Sequence, residues 1–261
     1  MLFLKLFLVP FFLGIISLAG KYLGPNFAGW LAGLPVIVGP ILLLVAIDQG
    51  PLFAGTSAVL TLATVGAVMT FAVGYAWCAT KVHWPLAALG GLTAWFAMAA
   101  MIFAFTWTLP TAIAFAALAL FVAPRIFPKS AAVTKPAPLP HGELFLRMAV
   151  GGLLTFCVAT YAASLGERLS GIAALAPVLT PVLAVFIHRR SGADHAIALL
   201  RGLSRGLITL AVFVAMVAWC LPQWGTAISF SVAVAVALLL HGFALWHTKN
   251  KQQIIPEDAF K

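Results

Sequence analysis

Acidic residues are scarce in this chain: six Asp and Glu occur in 261 residues. Asp48, Glu143, Glu167, Asp194, Glu257 and Asp258 all stand in loops, at the ends of apolar runs or in the tail. A proton relay through membrane-buried carboxylates is therefore not expected. Cysteine is rarer still. Cys78, Cys157 and Cys220 show no CxxC spacing, so neither a disulfide framework nor a metal site follows. No HExxH, GxSxG, phosphate-loop or dinucleotide-binding pattern occurs, so neither an enzyme nor a cofactor is expected. Charge of either sign makes up 8% of the residues, where soluble domains carry roughly a quarter.

Hydrocarbon takes the place of charge. Hydrophobic residues make up 63% of the chain and the mean hydropathy is +1.10, the composition of an all-α integral membrane protein. The 15 Lys and Arg outnumber the 6 carboxylates. In a soluble protein that excess would suggest nucleic acid. In a membrane protein it reads as basic residues gathered in cytoplasmic loops, and no nucleic-acid partner is expected.

A span takes about 20 apolar residues. Runs at 2–19, 27–47, 52–77, 84–106, 109–127, 143–163, 169–188, 195–219 and 224–247 predict about nine transmembrane helices, with 106–111 as the turn between the fourth and fifth. The first run imitates a signal peptide, with Lys5 ahead of an apolar stretch and small residues at 17–19. A second copy of it inside the chain makes it a retained span. The organisation predicted is a first membrane repeat of five spans (1–127), a Pro-rich cytoplasmic linker (128–142), a second repeat of four spans (143–248) and a polar cytoplasmic tail (249–261).

The repeat is read in one register. "LFLK" at 2–5 returns as "LFLR" at 144–147, an offset of 142. At that offset Leu23 and Gly24 fall on Leu165 and Gly166, Gly29 on Gly171, Ala32 on Ala174, Pro35 on Pro177 and Gly50 on Gly192. Pro40 falls on Pro181 after a one-residue gap. Five spans precede the linker, an odd number, so the second copy is expected upside down relative to the first. Loop charge agrees. With the N-terminus on one side, the other receives Lys21, Lys81, Arg125, Lys129, Lys135, Arg189, Arg190, Lys249, Lys251 and Lys261, against Lys5 and Arg168. Ten cations against two place the N-terminus outside and the C-terminus in the cytoplasm.

Within this frame "GLPVIVGP" and "ALAPVLTP" occupy matching positions. Proline lacks an amide donor and breaks helices, and in lipid the freed carbonyls need protein or water. Paired discontinuous helices in inverted repeats are how many secondary transporters build a solute site. Pro35, Pro40, Pro177, Thr180 and Pro181 are therefore candidate solute-binding positions, and the second helix of each repeat is expected to be Pro-kinked. The plain alternative is close helix packing, to which the Gly29-x3-Gly33 spacing is suited.

An early Lys, then "AGL" with two closely spaced prolines, a Gly-rich turn and an "LR" pair make an order that resembles the GlpM-like family of small bacterial inner-membrane proteins. Lys5, Ala32, Gly33, Leu34, Pro35 and Pro40 carry it in the first half, and Arg147, Pro177, Pro181, Gly192, Leu200 and Arg201 in the second. The chain is similar to a fused tandem of that unit. It departs where Val59 aligns with Arg201 and where "AAL" replaces "AGL". The resemblance implies a bacterial inner (cytoplasmic) membrane location rather than a chemistry.

Ionisable residues inside spans are functional candidates. Arg201 and Arg205 share one helix face, about 10 and about 16 Å in from Asp194 at 1.5 Å per residue. Each either snorkels or faces a cavity, and Gly202 and Gly206 beside them admit a close neighbour. Lys5 and Arg147, the duplicated cations, either snorkel to headgroups or form a pair of symmetry-related anion contacts. His188 and His195 flank Arg189 and Arg190 in a basic face suited to anionic lipid, His83 reads as an interfacial anchor and His241 as a packed or helix-end histidine.

The function expected first is a small inverted-repeat transporter or permease for an anionic or amphipathic solute, because cations outnumber carboxylates along the candidate path. The alternative is a non-transporting membrane module for envelope assembly, lipid handling or partner scaffolding. Membrane lipids are partners in either case, and an oligomer is compatible with both. Convergence of Thr56, Thr61, Thr180, Arg201 and Arg205 on a cavity would favour transport. Kinks packed without water would favour the module.

Overall fold

Glycine followed by proline punctuates the first long apolar runs, and the helices begin and end there. The structure, a computed structural model, describes residues 2–131, 133, 140–164 and 177–253. Among them are nine helices and no strand. They are α1 (Leu2–Leu23), α2 (Pro25–Ala32), α3 (Val38–Gln49), α4 (Pro51–Ala79), α5 (Trp84–Ala104), α6 (Leu109–Ile126), α7 (His141–Ser164), α8 (Leu179–Ser191) and α9 (Ala193–Gln253). Gly225 interrupts α9 with non-helical backbone. Five stretches, in α1, α4, α5, α6 and α9, are long and apolar enough to cross a membrane.

Gly24, Gly50, Gly192 and Gly225 have φ between 72° and 91°, with ψ of 167°, 162°, 175° and 177°. That region is almost closed to residues with a side chain. Each glycine turns the chain from one helix into the next within a single residue. Pro25 and Pro51 follow directly as the first helical residue, where a missing N–H costs nothing and the fixed φ suits a helix. Gly50 and Gly192, which align in the repeat, share this corner almost angle for angle.

The expected span 27–47 is two helices, α2 and α3, with a break from 33 to 37. Pro35 stands in the break. Pro40 does not interrupt anything: it lies in the first turn of α3, and Pro181 likewise in the first turn of α8. First-turn amides have no intrahelical acceptor, so proline is tolerated there. The segment 165–176, with Gly171, Ala174 and the start of any matching break, lies outside the described residues, as do Lys135, Glu257, Asp258 and Lys261. The expected turn at 106–111 is present, with Thr108 and Thr111 forming a reciprocal capping box at the start of α6.

α4 is the axis of the bundle. It packs against α3, α5, α6 and α9 and buries Leu62, Met69, Phe71 and Tyr75 almost completely. Phe96, Leu118 and Phe121 on α5 and α6 stay exposed, as helices that are apolar all round do when lipid surrounds them. Among the other contacts that join the first half of the chain to the second, two are close. α1 runs antiparallel to α7: Arg147 reaches Ser17, Met148 lies against Gly14, Leu13 fills the space beside Gly151, and Pro10 lies against Gly152. α2 runs parallel to α9, and no side chains separate their backbones. A methyl group at Gly29 would overlap the Leu199 carbonyl, and one at Gly33 would sit 2.6 Å from the Gly206 carbonyl carbon. Methyl groups at Gly202 and Gly206 would overlap the carbonyls of Asn26 and Trp30. The two glycine pairs mesh reciprocally.

Candidate functional site

Chain direction brings several basic loops to one end of the bundle. The C-terminal ends of α1, α4, α6 and α8 meet the N-terminal ends of α7 and α9 there, through Ser17 with Arg147, Tyr75 with His188, Trp77 with Ile126 and Asp194 with Ala131. Lys21, Lys81, Arg125, Lys129, Arg189 and Arg190 adjoin these contacts in the chain. We refer to this as the basic end.

At its centre lies a buried ion cluster. Arg147, one turn beyond Glu143 on α7, is 3% exposed. Its Nε and Nη2 donate to Glu143 Oε1 at 3.1 and 2.5 Å, and its Nη1 donates to Ser17 Oγ at 3.2 Å. Its guanidinium carbon lies 5.3 Å from the Phe186 ring centroid. Arg190, in the last turn of α8, pairs through Nη1 with the other oxygen, Glu143 Oε2. The single carboxylate is thus shared by two guanidinium groups. The buried Nε of Arg190 meets no acceptor among the described residues.

Two recesses adjoin the cluster. The inner one holds about 40 Å³ and lies between α1, α2, α7, α8 and α9, with Ser17, Lys21, Arg147, Arg190 and His195 on its polar side and Ile16, Ala28, Leu183 and Ile187 on its apolar side. At about 10–15 Å³ for each water, it has room for a few waters or one compact polar group. The outer one, about 400 Å³, is lined by Gly142, Glu143, Leu146, Phe186, Arg189 and Arg190. Arg190 lines both, and its partner Glu143 faces the outer one. Among the described residues three cations (Lys21, Arg147, Arg190) stand against one carboxylate there, beside an apolar wall that is packed closed. Such a site suits a compact anionic group.

The residues expected at the site are dispersed by the fold. Arg201 donates through Nη2 to the Pro128 carbonyl at 2.6 Å, pinning the start of the linker to α9, as does Asp194, which accepts the Ala131 amide at 3.1 Å. Arg205 is exposed on α9. Thr180 is buried, and Thr56 and Thr61 bond back to carbonyls of their own helix. Pro35, Pro40, Pro177, Thr180, Pro181, Arg201 and Arg205 line neither recess. Of the two duplicated cations, Arg147 is the centre of the cluster, and the Lys5 side chain lies outside the described residues. Ser17, Glu143, Phe186 and Arg190 join the site without having been singled out for it. The Glu143/Arg147 spacing of four on one helix was a readable pair, but Arg190 is 47 residues from Glu143 and Ser17 is 130 from Arg147.

His241 stacks on Trp30, with centroids 3.6 Å apart and planes 13° from parallel, which makes it a packed histidine beside the glycine seam. Among the described residues no group of three or more His, Cys, Asp and Glu could hold a metal ion. Compared with protein-family models, curated proteins and solved structures, the chain matches none of them.

Proposed function

We propose that the chain is a multi-pass protein of a bacterial inner membrane, built as two inverted repeats, that handles an anionic amphipathic molecule at its basic end. The observation that carries this reading is Arg147, almost wholly buried beside a recess with cations on one side and hydrocarbon on the other. A buried guanidinium is costly unless it has partners, and the cations here exceed the one carboxylate that serves them. The α1–α7 register supports the inverted repeat. At an offset of 142, Arg147, Met148, Gly151 and Gly152 are the equivalents of Lys5, Leu6, Val9 and Pro10. The contacts run from Pro10 lying against Gly152, its own equivalent, to Ser17 against Arg147, which is one side of the pairing that a two-fold axis in the membrane plane would make. The gathering of basic loops agrees with a cytoplasmic basic end.

Within this reading the module that binds lipid comes first, because the first break lies beside a meshed glycine seam. A carrier for an anionic solute is the second reading. The observation favouring it is the matched Gly50 and Gly192 corners beside Pro-bearing helices in both halves.

Purified protein in liposomes separates them. The module binds acidic lipid saturably but neither accelerates lipid flip-flop nor takes up amphipathic anions. Saturable uptake that Arg147→Gln abolishes would establish the carrier instead. Absence of both binding and uptake would defeat the amphipath reading altogether. Topology has its own test: a fluorescent reporter after Lys261 should glow, and alkaline phosphatase at the same place should be inactive. The reverse result would put the basic end outside.

A further inference from the structure

We propose that Glu143 is a built-in counter-ion holding the place of a phosphate group, and that the ligand enters the inner recess by displacing it from Arg190 and Arg147. The inference rests on the reading of this recess as an anion site and adds what occupies it and how it opens.

Three observations converge. First, each Glu143 oxygen engages a different guanidinium, so the carboxylate bridges Arg147 and Arg190 as a phosphate with several acceptor oxygens would. Second, the bridge is incomplete. Among the described residues the buried Arg190 Nε meets no acceptor, and Lys21 lines the same recess. A carboxylate has two oxygens to offer; a phosphate group has more and can carry a second negative charge. Third, Arg190 lines both recesses and its partner Glu143 lines the outer one. Swinging Glu143 further into the outer recess would free the Arg190 and Arg147 guanidinium groups. Glu143 has a route for that movement: its side chain is 17% exposed, while that of Arg147 is 4% exposed. Arg147, held also by Ser17, stays in place as the fixed half of the site.

The chemistry recognised is a phosphate group. Its two sources are a phospholipid headgroup, whose acyl chains would stay outside the small inner recess, and free phosphate. A carboxylate that must be displaced lowers the apparent affinity by the fraction of molecules in which the site is already vacant. Removing its charge should therefore tighten binding. A residue that merely orients the arginines would do the opposite when neutralised.

The test uses the full chain in phosphatidylcholine nanodiscs with added phosphatidic acid, and in detergent with inorganic phosphate. Binding and thermal midpoint are measured for wild type, Glu143→Gln, Arg190→Gln and Asp194→Asn. Glu143→Gln should tighten binding about fivefold to tenfold, lower the midpoint of the ligand-free protein and enlarge the shift on adding ligand. Arg190→Gln should weaken binding about tenfold or more. Asp194→Asn, the same change of charge at the same end, should leave binding unchanged. Arg147→Gln is expected to abolish binding, and because it risks the fold, Arg190→Gln carries the argument. The same pattern with phosphatidic acid alone identifies a lipid ligand, and with both probes free phosphate as well. Binding that Glu143→Gln weakens or leaves unchanged overturns the counter-ion while leaving the anion site standing. Equal tightening by Asp194→Asn reduces the effect to surface charge and overturns it too. No binding by any form defeats both proposals.

Discussion

Two of the seams along which the halves of the chain meet are opposite in character. Where α2 meets α9, four glycines let the backbones touch, and no charged group intervenes. Where α1 and α8 meet α7, two arginines and a glutamate are folded in. The first seam works by omission: in a membrane, helices cannot gain from expelling water and rely on close van der Waals approach. The second carries charge into the bundle and needs every partner it has. A contact of the first kind has a single way to fit. The second holds together by an exchangeable set of ionic bonds, so it is where a ligand can substitute for part of the protein.

Breaking the glycine seam should have the largest effect. Gly202→Leu places a side chain where the Asn26 carbonyl already stands, and backbone cannot give way as a side-chain tip can. It should cost more than about 4 kcal/mol, seen as loss of folded protein by size exclusion in detergent. A stable, monodisperse variant would mean that α2 can leave α9, and would revive the first break as a moving part.

The polar seam should respond less, and in a way that depends on its partner. Glu143→Leu leaves the Arg147 guanidinium buried without a carboxylate and should cost about 3–5 kcal/mol. Adding Arg147→Leu should recover most of that, because the uncompensated charge goes with it. Denaturant unfolding of the two variants measures the difference. Equal losses in both would make the cluster a packing feature rather than an electrostatic one.

The smallest effect tests the likeness between the halves. Gly50→Ala and Gly192→Ala should each cost about 1–3 kcal/mol. The cost should be nearly equal, since the backbone angles agree and nothing stands within 4 Å of either added methyl. Unequal losses would show that the two corners are alike in shape but not in load.

Much of this fold was legible because lipid-compatible helices are written in uninterrupted apolar runs. The runs at 2–19, 52–77, 84–106, 109–127 and 143–163 each fall on one helix, and 27–47 falls on two. Those at 195–219 and 224–247 fall on α9 either side of Gly225, and the turn before Leu109 lies where Thr108 caps α6. The prolines were legible as breakers but not in what they break. Pro35 sits in a gap, while Pro40 starts a helix, and the distinction depends on which amide lacks an acceptor. The glycine spacing announced a close approach without naming its partner, because Gly202 and Gly206 come from another helix 173 residues along the chain (202 − 29). The ion cluster was half visible. Arg147 drew notice as the copy of Lys5, and Glu143 stands four residues before it on the same helix. Arg190 read as one more basic loop residue, since only the tertiary fold brings the end of α8 to the start of α7.

The α1–α7 register also bears on how such a chain could arise. A helix that meets its partner at Pro10 against the equivalent of Pro10 makes contacts that two copies of one helix could make unaided. On the proposed inverted repeat, a gene for one half, inserted in both orientations, would have held this seam as a homodimer of opposed subunits. Joining two copies through a proline-rich tether turns that encounter into an intramolecular one at an effective concentration of about millimolar. It also fixes the ratio of the two orientations at one to one, so that neither half need wait for a partner facing the other way. The halves are then free to diverge, one keeping Lys at the paired position and the other setting Arg between two helices.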